Sequence, residues 1–228
     1  MNAKRSLKKL ISDIMHLKFS SALKRLAGVC PNWLFRYNKA WLMHTSSFKF
    51  PEKPPDNIEI KIADKSDLED ITRISGLEKK QIEYLLDSRV TCFLASADGQ
   101  PPASIGWNAT GKCFIRGLGF LYDFGPDGAY GFWSVTLPEA RGKGLHTALM
   151  VAKAKYAIEH GAPNLYGIVE FDNDLSFDIR LRLGYTIAYE IYYLKFLFLK
   201  FLRLSHIPDN KKSLRCLTRS RFADALTI

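Results

Sequence analysis

Apolar and polar positions alternate in several short runs along the middle of the chain, and this pattern predicts β-strands. Residues 58–62 alternate strictly between isoleucine and a charged residue, which is the period of two that a half-buried strand requires. Further runs, rich in β-branched and aromatic residues, predict strands over 90–97, 103–108, 129–137, 165–171 and 185–193. An Asp98-Gly99 turn joins the first two of these into a hairpin.

Helical periodicity separates these strands. We expect a first helix from Ser66 or Asp67, either of which can cap its first turn, to about Ser75. Further helices are predicted over 77–87, 145–160 and 173–183, and Gly161 and Gly184 end the last two. The stretch 110–128 is glycine-punctuated and predicts either an extension of the hairpin or a loop. Strands and helices therefore share the region 58–194, as in an α/β or α+β domain.

The N-terminal part of the chain has a different pattern. Leu7, Leu10 and Ile14 recur at helical spacing among lysines, which predicts a basic amphipathic helix. A second apolar cluster is also predicted to be helical: Trp33, Leu34, Phe35, Tyr37, Trp41 and Leu42. We therefore expect residues 1–50 to form a basic helical extension, followed by a proline-rich linker over 51–57.

The C-terminal segment, 195–228, is basic and apolar. Its run 196–204 fits a segment lying in a membrane interface, a last strand of the sheet, or a helix packed on the N-terminal extension. The run is too short to span a bilayer as a helix. The tail beyond Pro208 is expected to be loosely ordered.

The net charge of +10 is concentrated at the two ends. Residues 1–50 hold ten Lys or Arg against one Asp, residues 195–228 hold eight against two, and the middle holds fifteen against twenty Asp or Glu. Basic ends fit an anionic membrane surface, or simply solvated helix faces, whereas nucleic acid is the less favoured partner. The N-terminus lacks the apolar core of a secretory signal, so we expect a cytoplasmic protein, with association at the inner membrane surface left open. The four cysteines are far apart, and no metal site is expected.

A glycine-rich turn between a predicted strand and a predicted helix carries the candidate chemistry. It reads Arg141-Gly142-Lys143-Gly144, and the helix begins with Leu145, His146 and Thr147. Glycines let backbone N–H groups approach a ligand, and a helix N-terminus adds unpaired N–H groups and the positive end of its dipole. The turn therefore predicts a phosphate site. It fits neither GxxxxGK[ST] nor GxGxxG.

The turn resembles motif A of the GCN5-related N-acetyltransferase (GNAT) superfamily, whose loop reads Arg/Gln-x-x-Gly-x-Gly/Ala. Arg141, Gly144 and the preceding Pro138-Glu139 match this motif, while His146 stands where the family has a small residue. The family's next signature, Asn-x-x-Ala/Ser followed by Leu-Tyr and Lys/Arg-Leu-Gly-Phe, is matched in register by Asn173, Ser176, Ile179, Arg182, Leu183, Gly184 and Tyr185. The resemblance covers about residues 58–194.

The resemblance implies a mixed central sheet with flanking helices and an N-acetyltransferase that moves acetyl from acetyl-CoA to a small-molecule amine, without a metal. It implies that the coenzyme pyrophosphate lies on Arg141, Gly142, Lys143, Gly144, Leu145, His146 and Thr147. Val135, Thr136 and Leu137 would lie beside the pantetheine arm and the thioester, where one strand N–H stabilises the developing oxyanion. Asn173 is carried over as a further coenzyme-binding residue.

The resemblance identifies a candidate base but no general acid. Arg180 stands where the family often has a tyrosine as general acid, so no general acid is identified. Glu170 is the candidate base, with a solvated glutamate at a strand end as the alternative. A non-catalytic acyl-CoA-binding module and a membrane-surface protein acting on a lipid-linked or amino-sugar acceptor stay open. The acceptor, the acyl length and the oligomeric state are not predicted.

Overall fold

The computed structural model describes residues 29, 31, 34–52, 57–88, 90–115, 120–197, 199–206 and 215–217. The predicted basic helix over 1–28 and most of the tail beyond Pro208 lie outside these residues. The described helices are α1 (Leu68–Ser75), α2 (Lys79–Leu86), α3 (Leu145–Glu159) and α4 (Asp174–Arg182). The strands are β1 (Phe35–Thr45), β2 (Ile58–Ile62), β3 (Val90–Ala97), β4 (Ser104–Thr110), β5 (Lys112–Ile115), β6 (Phe120–Asp123), β7 (Gly128–Thr136), β8 (Asn164–Glu170), β9 (Thr186–Phe196), β10 (Leu199–His206) and β11 (Arg215–Leu217).

Eight of these strands form one mixed sheet, in the order β10-β9-β1-β8-β7-β4-β3-β2. The β7–β8 pair is parallel, and the other neighbours are antiparallel. Helix α3 forms the crossover between the two parallel strands. The mixed sheet with flanking helices is the fold that the sequence predicts.

The helices cover opposite faces of the sheet. Helices α1 and α2 pack through Ile71, Ile74 and Ile82 on Ile105 and Trp107 of β4. Between these two β4 residues, Gly106 faces Lys153 of α3, as the alternation of side chains along a strand requires. Helices α3 and α4 share a second core, in which Met150 and Ala154 of α3 lie with Ile179 and Leu183 of α4.

The helical prediction for residues 33–42 is wrong where the structure describes them. Residues 35–45 form β1, which pairs with β8 on one side and β9 on the other. This strand lies inside the sheet and is covered on both faces, so apolar residues occur on both of its sides and do not alternate. Periodicity alone cannot distinguish such an apolar run from a buried helix. Because β1 and β2 belong to one sheet, the proline-rich stretch 51–57 is not a boundary between domains.

Two further sequence predictions are sharpened. The run after 195 continues as a strand and returns as β10, which pairs with β9, so the last-strand alternative is the correct one. A short 3-10 turn, Lys65–Asp67, precedes α1, and Asp64 caps this turn by accepting from the Ser66 N–H at 2.7 Å. Asp67 is the N-cap residue of α1, one of the two that the sequence predicts, but its side chain makes no hydrogen bond to the first-turn amides of that helix. It accepts instead from the Asp64 N–H at 3.2 Å, within the capping box of the 3-10 turn.

The glycine-punctuated stretch after β4 is an extended hairpin. Strands β5 and β6 pair antiparallel, and β11 adds to β6 to complete a three-stranded sheet. Tyr122 of β6 and Phe124 after it pack on Tyr130 of β7 and Ala40 of β1 in a shared core. The small sheet therefore covers the same face of the large sheet as α1 and α2.

Candidate functional site

The parallel pair β7–β8 separates into a fork halfway along its length. The two strands pair only from Gly128–Asn164 to Gly131–Gly167. Beyond this point β7 continues to Thr136 beside β4, and β8 continues to Glu170 beside β1. The facing edges of both strands therefore have backbone groups free to bind an extended ligand.

A β-bulge lies in β7 just beyond the fork. Trp107 of β4 pairs with Phe132, whereas Ile105 pairs with Val135, so β7 carries one extra residue. Trp133 has a φ of 43°, which is uncommon for a residue with a bulky side chain. Bulges redirect backbone groups and are frequent next to active sites.

The free edge of β7 leads directly to the predicted phosphate turn. After Thr136 a 3-10 turn, Pro138–Ala140, is followed by Gly142 and Gly144, both with a φ of 81°. Helix α3 then begins at Leu145 without a side-chain cap, and its first backbone bond runs from the Ala148 N–H to the Gly144 carbonyl. The N–H groups of residues 145–147 are therefore left without an intrahelical acceptor.

Side chains around this turn add charge and anchor it. Arg141 and Lys143 are exposed, and Arg141 Nε lies 3.4 Å from the Thr136 carbonyl oxygen, to which it donates. Leu145 is buried with Phe93 and Ala95 of β3 and holds the first turn of α3 on the sheet. The turn thus combines backbone donors with two exposed cationic side chains.

His146 lies in the first turn of α3 with its Nε2 buried and without a hydrogen-bond partner among the described residues. Burial, with Lys153 and Arg180 nearby, lowers the pKa of His146 to about 4. The imidazole is therefore neutral near neutral pH. A neutral, inward-facing ring fills the turn and adds no positive charge to a phosphate.

Asn173 begins α4 as predicted, and its role in the structure is that of a helix cap. Its side-chain oxygen accepts from the Ser176 N–H at 3.1 Å. The N-terminus of α4 is thus capped by the chain itself, unlike that of α3. Whether Asn173 also contacts a coenzyme stays a prediction.

A cavity of about 1150 Å³ opens on the face of the sheet that α1 and α2 cover. Tyr130, Phe132 and Ile168 line it at the fork, and Leu77 and Leu85 line it from the helical side. Strands β5 and β6 close it with Cys113, Phe114, Ile115 and Leu121. Most of its wall is therefore apolar, and burial raises the pKa of the Cys113 thiol to about 12.

Glu170 lies on the wall of this cavity, at the last residue of β8. Asn38 Nδ2 of β1 donates to its Oε1 at 3.3 Å. The carboxylate is solvent-exposed, so it can exchange protons with water as well as with a bound molecule. The structure therefore brings the candidate base and the fork to one cavity.

Two buried cations lie on the opposite face of the fork. Lys153 of α3 is 4% exposed and its Nζ donates to Ser134 Oγ at 2.9 Å. Arg180 of α4 is 6% exposed and packs on Gly167 and over the Tyr185 ring. Arg180, which stands where the family often has a tyrosine, is therefore buried against the backbone at the point where β7 and β8 separate.

Several of these residues were not identified from the sequence. Lys153 fits the helical pattern of α3. The only sign of its burial in the sequence is that it shares a helix face with the apolar Leu149 and Met150. Asn38 and Arg36 reach the cavity from β1, which the sequence assigns to a helix. The bulge at Trp133 has no signal in the sequence, since it depends on the pairing with β4.

In the described part of the chain, no helix is long and apolar enough to cross a membrane. The same residues contain no group of three or more His, Cys, Asp or Glu side chains that could hold a metal ion.

No family model matches the sequence, and no curated protein matches it either. Solved structures do match. A protein of the GNAT family of acetyltransferases from Novosphingobium aromaticivorans aligns at 16% identity with a TM-score of 0.51, over 69% of this chain and 63% of that chain. A GCN5-related N-acetyltransferase from Kribbella flavida aligns at 17% identity with a TM-score of 0.51, over 70% and 59%.

The chain has the GNAT fold. A GNAT-family acetyltransferase from Colwellia psychrerythraea aligns equally well, at 15% identity and a TM-score of 0.51, over 71% and 57%. The chain spans 57–63% of the length of these three solved chains. The resemblance drawn from the two sequence motifs is therefore confirmed as a likeness of fold.

Proposed function

We propose that the protein is an N-acyltransferase that transfers the acetyl group of acetyl-CoA to a primary amine by direct attack on the thioester. The observation that carries the proposal is the continuity of the free β7 edge, from the fork at Gly131 to the uncapped N-terminus of α3. One end of this path suits a pyrophosphate, and its length suits an extended arm that pairs like a strand.

The residues along this path fit the coenzyme. The free N–H groups of residues 145–147 and the exposed Arg141 and Lys143 suit the pyrophosphate. The β7 segment from Phe132 to Thr136 spans about 13 Å, since it has four steps of about 3.3 Å each. An arm along this segment reaches from the turn to the fork and passes Val135 and Thr136. Acetyl-CoA supplies the activated thioester. The residues of the chain bind the coenzyme, position the thioester and remove protons from the amine.

The acceptor is proposed to enter from the cavity. Glu170 and Asn38 on its wall place a carboxylate where a cationic amine would be attracted and could lose a proton. A volume of about 1150 Å³ exceeds what a small amine fills, since typical ligand pockets span about 300–1,000 Å³. With its apolar wall, the cavity supports an amine that carries a large apolar or aromatic body.

Calorimetry with coenzyme A and a thiol-release assay over a panel of amines test the two halves of the proposal. We expect binding of the coenzyme and thiol release that is fastest with amines carrying apolar bodies. Binding without release from any amine would favour the non-catalytic module, for which Arg180 in place of a tyrosine is the supporting observation. No binding of coenzyme A would overturn the proposal.

Replacing Glu170 tests the acceptor half alone. We expect Glu170→Gln to lower kcat by about 100-fold, which is the lower range for a general base, with the affinity for coenzyme A unchanged. Glu159→Gln, at the exposed end of α3, is the matched control. Full activity in Glu170→Gln would show that Glu170 is a solvated residue at a strand end.

A further inference from the structure

The buried Lys153 and Arg180 have no acidic partner among the described residues. Neither takes part in a salt bridge there, and Arg180 Nε is buried without a hydrogen-bond acceptor. Taking a cation out of water is costly unless an anion or several acceptors compensate for it. Two such cations on neighbouring helices therefore indicate a binding site for an anion.

Both cations lie against the backbone at the point where β7 and β8 separate. Gly131 and Gly167 are the last paired residues of β7 and β8. A β-carbon on Gly131 would lie 3.3 Å from Lys153 Nζ, and one on Gly167 would overlap the Arg180 guanidinium. The two glycines thus allow the charged groups to lie directly against the backbone where the strands separate.

The cations and the cavity lie on opposite faces of the sheet at this point. Tyr130, Phe132 and Ile168, the neighbours of the two glycines along their strands, line the cavity. Because side chains alternate along a strand, Gly131 and Gly167 face α3 and α4. A thioester held in the fork would therefore have the amine on one side and the two cations on the other.

We propose that Lys153 and Arg180 form a thiolate site, which holds the sulfur of the coenzyme after it leaves the acyl group. This inference rests on the proposed function. The amine nitrogen bonds to the acyl carbon, the carbon–sulfur bond breaks, and its electron pair stays on sulfur. The amine arrives as an ammonium ion and gives up two protons, one before the attack and one after the carbon–nitrogen bond has formed. Each proton passes through Glu170 to water. The sulfur needs no proton from the protein, which accounts for an arginine where the resemblance implies a tyrosine.

The groups around the two cations do not compete with such an anion. Tyr185, which directly precedes β9, has a pKa raised by burial and is neutral near neutral pH. Burial also raises the pKa of Cys92 of β3 and of Tyr130 of β7, so these two groups, which lie on the opposite face of the sheet, are neutral as well. Tyr166 of β8 lines a small cleft together with the two cations, and it also has a pKa raised by burial. His146 is neutral as well.

Lys153 itself responds to an anion. Burial, and then the charge of Arg180, lower its pKa to about 7. A thiolate beside Lys153 would oppose both effects and favour the charged ammonium. The site therefore becomes more cationic when it holds the sulfur.

Comparison of coenzyme A with desulfo-coenzyme A, which lacks the thiol, tests the site without turnover. At mildly alkaline pH we expect the wild-type protein to bind coenzyme A about tenfold more tightly, as a charge-assisted contact gives. We also expect the ultraviolet absorbance of the thiolate to rise at least about one pH unit lower in the complex than in free coenzyme A.

Arg180→Met is the informative variant, and Arg182→Met is its control because Arg182 is exposed on the same helix. Replacing a buried cation that has no acidic partner among the described residues by a flexible apolar side chain is expected to preserve the fold. We expect Arg180→Met to reduce the preference for coenzyme A to within about twofold, and Arg182→Met to keep it. If Arg180→Met does not fold, Lys153→Met serves for the same measurement.

The wild-type result alone can decide against the site. Equal binding of the two compounds, with the thiol titrating as in free coenzyme A, would overturn the thiolate site and leave the donor site standing. Binding of neither compound would overturn the donor site and the thiolate site together. The thiolate site would also be overturned if both Arg180→Met and Lys153→Met kept the preference for coenzyme A over desulfo-coenzyme A.

Discussion

Two strand-to-helix junctions lie next to each other in this fold, because β7 and β8 are parallel neighbours and each leads into a helix. The first junction, residues 136–147, has glycines at positive φ and leaves the N-terminus of α3 without a side-chain cap. The second junction, residues 170–176, has Asn173 at the start of α4, where its side chain accepts from the Ser176 N–H. The two junctions therefore differ in whether a side chain of the protein accepts a hydrogen bond from the first-turn N–H groups of the helix.

This difference separates a structural helix end from a candidate binding site. Every helix begins with N–H groups that lack an intrahelical partner, so the position of a helix alone says little about ligands. At the second junction one of these donors is used by the Asn173 side chain. At the first junction the described side chains use none, and the free edge of β7 leads to it. The combination of free amides and a free strand edge is what supports the proposed coenzyme site.

Making the first junction resemble the second should have the largest effect. Gly144→Asp places a carboxylate at the N-cap of α3, where aspartate both caps the helix and tolerates a positive φ. We expect the affinity for coenzyme A, measured by calorimetry, to fall by about 1,000-fold, since like charges at a binding site cost several kcal/mol.

The same change at a remote glycine is the control. Gly99→Asp lies in the β3–β4 hairpin turn, at a φ of 68° and with nothing within 4 Å of an added β-carbon. It should leave the affinity unchanged. If Gly144→Asp also binds normally, the amides of α3 do not hold the pyrophosphate.

The two junctions also differ at the second residue of the helix, and this difference should have the next largest effect, on how stability depends on pH. His146 holds this position in α3, and the exposed Leu175 holds it in α4. The pKa of His146 is lowered from 6.5 to about 4, so the unfolded chain binds a proton in this range that the folded chain does not. Stability should therefore fall as the pH drops from about 6.5 to about 4, by about 3 kcal/mol.

Urea unfolding at both ends of this pH range measures the effect. His146→Leu, which copies the residue of the second junction, should lose this part of the acid sensitivity. His160→Leu is the control, because His160 is exposed and lies at the other end of α3. An unchanged acid sensitivity in His146→Leu would show that the imidazole is not held neutral in the fold.

The cap of the second junction should give the smallest effect. We expect Asn173→Ala to lower the free energy of unfolding by about 1 kcal/mol, the usual value of an N-cap, and to change the affinity for coenzyme A by less than about twofold. The oxygen of Asn173 is already used by the Ser176 N–H, which is the reason for the second expectation. A large loss of affinity would instead support the coenzyme contact that the sequence resemblance implies.

The first junction is predictable from sequence because its signals are local. Gly142 and Gly144 are needed for backbone conformations with positive φ, and Arg141 and Lys143 flank them within four consecutive residues. Asn173 is equally local, since an N-cap depends on the side chain and the next three amides. The sheet and the flanking helices follow from the order of the elements and the two motifs.

The rest of the site depends on contacts between distant segments, which one sequence does not reveal. Asn38 reaches Glu170 only because β1 lies beside β8. Lys153 and Arg180 meet only because α3 and α4 pack on the same face of the fork. The cavity likewise requires β5 and β6 to lie over β7 and to share its wall with α2, and nothing in the stretch 110–128 specifies that arrangement.

The position of β1 between β8 and β9 has a consequence for how the protein is made. Thr45 pairs with Leu165, and Phe35 pairs with Phe196, so β1 leaves the ribosome long before either partner exists. Contacts of such large sequence separation form slowly, and the waiting strand exposes apolar side chains such as Leu42 and Met43. We therefore expect slow refolding and a dependence on chaperones during synthesis. A fragment that starts at Ile58 would leave β8 and β9 with open edges, which are prone to aggregation.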